Sequence, residues 1–325
     1  MKGSSIPRPF IEGFYIGQAQ DLQAATGCTV VINKTGAVCG VDVRGGSPGT
    51  RDTDALNPKA NRKVVHAVLL AGGSSFGLDA AGGVMRFLEQ HNIGRDAGVT
   101  CVPNVSAAIL FDLKCGACNV RPDAAMGYAA CENAFTNGAF KSGCYGAGTG
   151  ATIGKTRGAG FAMKGGIGFA SFSAGDLEVA AVSAVNCVGD ILENGKIIAG
   201  ALDDDGTFAN SEKIILSDYK TEQDFFSGKT SESNTVLVCI MTNAVMGKAA
   251  ASMLASIGHN GIARCVRPAH SIYDGDTVFA MSSCRVHARF DAAAILASHA
   301  VEMSIIDAVK NARSLCGYPA MNKGL

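Results

Sequence analysis

Runs of apolar residues separated by turn-forming residues predict alternating strands and helices along the chain. Strands are predicted where β-branched and apolar residues dominate, at 64–70, 106–111, 167–173, 177–188, 235–242 and 278–282. Helices are predicted where apolar residues recur every three or four positions, at 76–91, 123–135, 245–257 and 290–312. Two β-branched runs at 28–33 and 37–43, joined by residues 34–36, predict a β-hairpin. The pattern is that of an α/β (α+β) protein.

The most abrupt change of polarity lies between residues 234 and 235. The stretch from 203 to 234 is polar, and its end, 227–234, is predicted to be an exposed loop, whereas 235–242 reads as a strand buried on both faces. If the bond after Asn234 were cut, Thr235 would carry both a hydroxyl nucleophile and a free α-amine suited to general-base work. A threonine that opens a strand is also common for structural reasons alone.

Composition and charge exclude several classes of protein. Lys and Arg total 28, as do Asp and Glu, and this zero net charge argues against a nucleic-acid or acidic-lipid partner. With 47% apolar and 17% charged residues, the 325-residue chain is not disordered, and part of its surface is expected to be shared with other subunits. No secretory leader is recognisable, and no segment suggests a membrane span, so we expect a cytoplasmic protein.

The 12 cysteines are scattered, which predicts buried free thiols rather than a disulfide scaffold. Cys115 and Cys118 form the single C-x-x-C pair, a weak zinc or redox signal on its own.

Two glycine-rich motifs suggest other chemistry. Residues 73–77 fit G-x-S-x-G, the nucleophile elbow of serine hydrolases, with Ser75 as nucleophile and four candidate bases downstream, His259, His270, His287 and His299. No HGGG-type oxyanion motif accompanies them, so a scaffold role is favoured. Residues 146–151 fit the dinucleotide fingerprint G-x-G-x-x-G/A, but they do not lie in the first βα turn, and backbone donation to an oxyanion is equally natural.

Asp274 and Asp276 put two carboxylates on one turn, within the polar segment 271–277. A divalent metal needs more ligands than this turn supplies, so the pair is better suited to orienting an amine or a hydroxyl. A solvated surface turn remains an equal alternative.

Taken together, these motifs resemble the self-processing aminopeptidases, a family that includes the L-aminopeptidase/D-Ala-esterase-amidases, the β-aminopeptidases and the nylon-oligomer hydrolases. The matching stretches keep the family order over nearly the whole chain, at 45–54, 72–81, 83–85, 145–150, 164–166, 184–186, 234–235, 242–244 and 267–277. The resemblance implies a four-layer αββα sandwich, similar to N-terminal-nucleophile hydrolases but connected as in ornithine acetyltransferase.

The resemblance also implies a layered domain over 1–325, cut between Asn234 and Thr235 into chains 1–234 and 235–325 that assemble into homo-oligomers. Thr235 is the implied nucleophile. Its implied partners are the orienting pair Asp274 and Asp276, the oxyanion-side residues Asn186 and Tyr145 with backbone support from Gly146, Gly148 and Gly150, and an active-site lysine, Lys155 or else Lys164.

The implied activity is hydrolysis of short peptides, amino-acid amides or amino-acid oligomers through a Thr235 acyl-enzyme, without a metal or cofactor. An acyltransferase of the ornithine-acetyltransferase type would use the same nucleophile. A serine esterase based on Ser75 and a non-enzymatic dinucleotide-binding protein remain as alternatives.

Overall fold

The structure, a computed structural model, describes residues 11–136, 140–220 and 234–321. The strands of this part are β1 Phe14–Asp21, β2 Thr26–Val43, β3 Thr50–Arg51, β4 Val65–Ala71, β5 Arg95–Asp96, β6 Cys101–Val102, β7 Val105–Ile109, β8 Thr152–Ile153, β9 Met163–Lys164, β10 Gly166–Ala174, β11 Leu177–Asn186, β12 Asp190–Glu193, β13 Lys196–Ala199, β14 Thr235–Ala244, β15 Val266–Arg267 and β16 Thr277–Val286. The helices are α1 Ala80–Gln90, α2 Ala124–Phe135, α3 Ser211–Ser217, α4 Lys248–Cys265 and α5 Phe290–Lys310.

The long strand β2 joins two large sheets. In its first half, residues 26–33 pair with β1, and 28–32 also pair with β4, which continues to β7 and β3 as the first sheet. In its second half, residues 38–43 pair with β16, and the order β16-β14-β11-β10 completes the second sheet. Within the second sheet, β14 lies parallel to β16 and antiparallel to β11.

The predicted hairpin at 28–43 is therefore wrong, because both of its arms belong to β2. Residues 34–36 do not reverse the chain. The pairing of β2 with β4 shifts register between Ile32 and Ala37, so the strand passes from one sheet to the other. The sequence between the two runs has no two-residue turn such as Asn-Gly, which is the strongest hairpin signal.

Among the described residues, three large hydrophobic cores lie between the layers of the fold, beside one small cluster around Cys144. The first core joins α1 and α2 to the first sheet through residues such as Val84 and Leu69. The middle core lies between the sheets, and the third joins the second sheet to α4 and α5. Because side chains alternate along β14, Leu237 faces the middle core and Val238 faces the helices, so the strand is apolar throughout. The expected αββα sandwich is confirmed.

Most predicted elements are confirmed, with shifts of a few residues at their ends. The largest difference is in α4, which begins at Lys248 and continues to Cys265, eight residues beyond the predicted end at 257. The sequence interpretation missed β1, the β12 to β13 pair and α3. Of the loop predicted at 227–234, residues 227–233 lie outside the described residues.

The expectation that no segment suggests a membrane span needs one correction, which concerns α5. This helix is long and apolar enough to cross a bilayer, with a mean hydropathy of 1.5. However, 67% of its most apolar window is buried inside the fold, where Val301 and Ile305 pack in the third core. The apolar character of α5 is thus accounted for by its contact with the second sheet.

Candidate active site

Thr235 is the first residue of β14, at the centre of the second sheet, and is buried. Its Oγ donates a hydrogen bond to the carbonyl oxygen of Asn234, the residue before it. The same carbonyl accepts the N–H of Gly275 at 2.7 Å, and the N–H of Asn234 donates to the carbonyl of Tyr273 at 2.8 Å. The carbonyl oxygen of the bond between Asn234 and Thr235 thus accepts both the threonine hydroxyl and the N–H of Gly275.

The turn before β16 brings the acidic pair to this bond, because β16 runs parallel to β14 and starts at the same edge of the sheet. Asp276 Oδ1 accepts the N–H of Val236 at 2.7 Å, and its Oδ2 lies 2.7 Å from Nδ1 of His270. Asp274 accepts the hydroxyl of Ser271 and, at 3.3 Å, the N–H of Val188. Both aspartates are buried, so the alternative of a solvated surface turn is wrong.

Burial changes the protonation of Asp274. Desolvation of its carboxylate, and then the nearby charge of Asp276, raise the pKa of Asp274 to about 7, although the Ser271 and Val188 hydrogen bonds and the Lys155 charge oppose this shift. With its pKa near neutrality, the Asp274 carboxylate is suited to exchange a proton with a neighbouring group.

Asn186 lies directly across the sheet from Thr235, as its antiparallel partner in β11. The Asn186 amide donates to the carbonyl of Phe111 at 3.0 Å and accepts the N–H of Thr152 at 2.9 Å. The ammonium group of Lys155 donates to both the backbone and the side-chain oxygen of Asn186, each at 3.0 Å. The structure thus brings Asn186 and Lys155 together beside Thr235.

The two candidate lysines have different surroundings. Lys164 is fully buried, and its ammonium group donates to the backbone carbonyls of Ala151, Gly148 and Gly165. Lys155 instead reaches Asn186 and lines an open cleft. Lys164 therefore holds the glycine-rich segment in place, and Lys155 is the lysine with access to the site.

Tyr145 directly precedes the 3₁₀ turn at residues 146–148. Its ring packs against the middle core, with the ammonium group of Lys141 5.3 Å from the ring centroid, and it does not contribute to the cleft beside Asn234. The expectation that Tyr145 contacts a substrate carbonyl stays a prediction.

The glycines expected to support an oxyanion also serve another purpose. The N–H of Gly146 donates to Gln20 at 3.0 Å, and that of Gly148 donates to the carbonyl of Tyr145 at 2.9 Å. A Cβ on Gly148 would lie 2.2 Å from the backbone nitrogen of Ile167, so glycine is required there by close backbone packing. At Gly150 a Cβ would likewise meet the carbonyl oxygen of Ala25, at 2.0 Å.

The structure does not provide the surroundings that a dinucleotide loop at 146–151 or a Ser75 nucleophile would need. Residues 146–148 form one short 3₁₀ turn that leads to β8, whereas a dinucleotide loop must open a helix. Ser75 is exposed on a 3₁₀ turn, and two of its candidate bases, His259 and His270, are bonded to Asp42 and Asp276 instead. All 12 cysteines are free thiols, most of them buried, and the described residues contain no cluster of three or more metal-binding side chains.

A small cleft that opens to the surface is lined in part by Asn234 and Lys155. Its lining includes four residues that the sequence interpretation did not single out: Phe111, Asp112, Thr152 and Tyr318. Phe111 and Asp112 could have been suspected because they closely follow the apolar strand β7. Tyr318 carries no such signal, since its position depends on how the segment after α5 folds back.

The chain belongs to peptidase family S58, whose family model matches residues 11–322. It is 39% identical over 309 residues to an uncharacterised aminopeptidase of Mycobacterium tuberculosis, covering 93% of this chain and 86% of the relative. It is 32% identical over 272 residues to the 6-aminohexanoate-oligomer endohydrolase of Kocuria, covering 83% and 73%. The chain is therefore a hydrolase of this peptidase family.

Solved structures of similar fold include a Burkholderia β-aminopeptidase, with a TM-score of 0.67 at 19% identity over 96% of this chain and 89% of that chain. Another is the L-aminopeptidase D-Ala-esterase/amidase of Ochrobactrum anthropi, described as a variant of the N-terminal-nucleophile hydrolase fold, with a TM-score of 0.67 at 17% identity over 93% and 85%. At sequence identities this low, the similarity to these two structures shows a shared fold only.

Proposed function

We propose that the chain is a precursor that cuts itself between Asn234 and Thr235, and that the freed Thr235 is then the nucleophile of an amide hydrolase. The observation that carries this proposal is the contact of Thr235 Oγ with the carbonyl of Asn234, which is polarised by the N–H of Gly275 at 2.7 Å. A hydroxyl, its target carbonyl and a fixed donor thus converge on one bond.

In self-cleavage, Thr235 Oγ attacks the carbonyl carbon of Asn234 and passes its proton to the acidic pair. The C–N bond then breaks, the Thr235 nitrogen takes up a proton, and an ester joins the two fragments. Water hydrolyses this ester, which leaves a carboxylate on Asn234 and restores the Thr235 hydroxyl. The N–H of Gly275 stabilises the oxyanion in both steps.

In substrate hydrolysis, Thr235 Oγ attacks the substrate amide carbonyl, while its own α-amine or the acidic pair takes the proton. The leaving amine departs with a proton, and water releases the acyl group. We assign oxyanion stabilisation to the Lys155 ammonium group and its orientation to Asn186, which holds it through two hydrogen bonds.

The substrates we propose are short peptides, amino-acid amides or amino-acid oligomers, in keeping with the names of the relatives. Cut units are proposed to associate further in the cytoplasm, because only 17% of the residues are charged and part of the surface is free to be shared.

The test is the intact mass of denatured protein, for wild type and for Thr235→Ala. Wild type should give fragments of 234 and 325 − 234 = 91 residues, whereas Thr235→Ala should stay whole and inactive. Thr235→Ser should still cut, since it keeps the hydroxyl. Ser75→Ala is the matched control and should behave as wild type in both cleavage and amide hydrolysis. Hydrolysis by a wild-type chain that remains whole would contradict the proposal.

A further inference from the structure

We propose that His270 is a positioning residue that fixes the carboxylate of Asp276 beside Thr235, an inference that rests on the proposed function. Both donors of His270 face the same carboxylate oxygen: Nδ1 lies 2.7 Å from Asp276 Oδ2, and the backbone N–H lies 3.2 Å from it. The other oxygen, Oδ1, accepts the N–H of Val236 at 2.7 Å. Both oxygens of Asp276 therefore accept hydrogen bonds, Oδ1 from β14 and Oδ2 from His270.

Without the imidazole, Oδ2 keeps only the longer bond from the backbone N–H of residue 270, at 3.2 Å. Because the torsion that rotates a carboxylate about its last bond is broad, the carboxylate is then held less firmly and can turn. Rotation of Asp276 would move Oδ1 away from Val236 and from the start of β14. Displacements of about 1 Å in a catalytic group cost about 100-fold in rate. The bond from His270 is therefore expected to matter for turnover and self-cleavage, although His270 does not touch the reacting bond.

Only one of the two ring nitrogens of His270 makes a hydrogen bond in the described part of the chain. Nε2 of His270 is buried and meets no hydrogen-bond partner within the described ranges, so only Nδ1 serves Asp276. His259 packs edge-on against this ring, with 4.8 Å between the centroids, and bonds the carbonyl of Asp42 at 3.1 Å. His259 thus packs against the imidazole of His270 while its own nitrogen is engaged elsewhere. A side chain with one N–H at the position of Nδ1 should be able to replace His270.

Asparagine meets that requirement and also tolerates the left-handed backbone of His270, where φ is 55°. We expect His270→Ala to lower kcat by about 10- to 100-fold and to slow self-cleavage, with KM within about twofold of wild type. His270→Asn should recover most of both rates. His299→Asn, the same change at a half-buried histidine of α5 that packs on Phe172, is the matched control and should leave both rates unchanged.

Two results would overturn the inference: wild-type rates in folded His270→Ala, or a loss in His270→Asn equal to that in His270→Ala. Either of these, in a protein whose wild type cuts itself and hydrolyses amides, leaves the proposed function intact. A wild type that does neither refutes the proposed function instead.

Should His270→Ala fail to fold, proton NMR of the wild type is decisive. The Nδ1 proton of His270 should resonate far downfield because of its bond to the Asp276 carboxylate, and it should shift upfield in Asp276→Asn. A wild type without this downfield resonance would refute the positioning role.

Discussion

At the scale of single residues, two aspartates one residue apart have separate tasks because their partners differ. Asp274 binds the backbone of Val188 and the hydroxyl of Ser271, and its raised pKa favours the protonated form. Asp276 binds the N–H of Val236, the residue after Thr235. The intervening Gly275 supplies the N–H that polarises the Asn234 carbonyl. In the proposed self-cleavage, one turn of three residues would therefore supply both the acid–base groups and the oxyanion donor.

Replacing Asp276 by Asn should keep the fold and lower turnover by about 100-fold or more, because the charge beside the nucleophile is lost. The Asn oxygen can still accept the N–H of Val236, while its amide group would face Nδ1 of His270. The measurement is kcat for amide hydrolysis, with circular dichroism as the control for folding. A folded variant with the wild-type kcat would exclude a role for Asp276 in catalysis.

At the scale of elements, the packing of α1 on α2 can be tested with two neighbouring glycines. A Cβ added to Gly83 would lie 1.7 Å from the carbonyl oxygen of Ala124, the first residue of α2, whereas one added to Gly82 would meet nothing within 4 Å. Gly83→Ala should therefore destabilise the protein by several kcal/mol or prevent folding, roughly as other severe core overpacking does. Gly82→Ala should stabilise it by about 0.5–1 kcal/mol, since alanine favours a helix.

Both changes are checked by urea unfolding of the uncut Thr235→Ala chain, which keeps the transition to one polypeptide. Because the two positions are adjacent in α1, helix propensity alone would affect them equally. Equal stability of the two variants would mean that α1 and α2 do not approach as closely as described.

An element could be predicted from the sequence where its signal lies within the element itself, and not where it depends on distant partners. The run 235–242 identified β14, and the periodicity of 290–312 identified α5, because each signal is local to its element. The crossing of β2 between sheets was missed, since it depends on its partners β4 and β16.

The site follows the same rule. Thr235, Asp274 and Asp276 carry a motif, and their closeness is set by adjacent strands. Tyr318 was missed, because its position depends on how the segment after α5 packs.

At the scale of the whole molecule, buried carboxylates make stability depend on pH. Burial raises the pKa of Asp112 to about 6, despite hydrogen bonds from Gly73 and Thr26. The folded state thus holds this proton more tightly than the unfolded state, where the pKa is 3.8. The contribution of Asp112 to the free energy of unfolding is therefore most favourable below about pH 4 and decreases as the pH rises to about 6. The loss from Asp112 amounts to about 3 kcal/mol.

Asp112→Asn removes this titration, while its side-chain oxygen can still accept the N–H of Gly73. In urea unfolding of uncut chains between pH 4 and pH 7, the stability of this variant relative to its parent should increase as pH rises. The expected rise is about 2 to 3 kcal/mol and should occur mainly between pH 4 and pH 6. A difference that is independent of pH would show that Asp112 has an ordinary pKa.

The fate of the two fragments after the proposed cut follows from the order of strands in the second sheet. The fragment 235–325 supplies β14 and β16, which lie side by side between β11 and β2 of the larger fragment. It also supplies α4 and α5, which cover the sheet and bury the third core. Separation would therefore split the second sheet along two ladders and expose residues such as Val238 and Ile240 to water, which is unfavourable.

We therefore expect the cut fragments of 234 and 91 residues to elute together from a native sizing column and to separate only in denaturant. Mass analysis of the native peak should find both fragments in equal amounts, and the uncut Thr235→Ala chain, run in parallel, should elute at the same position because its sheet order is the same. Native elution of the 91-residue fragment by itself would mean that β14 and β16 are not held between β11 and β2.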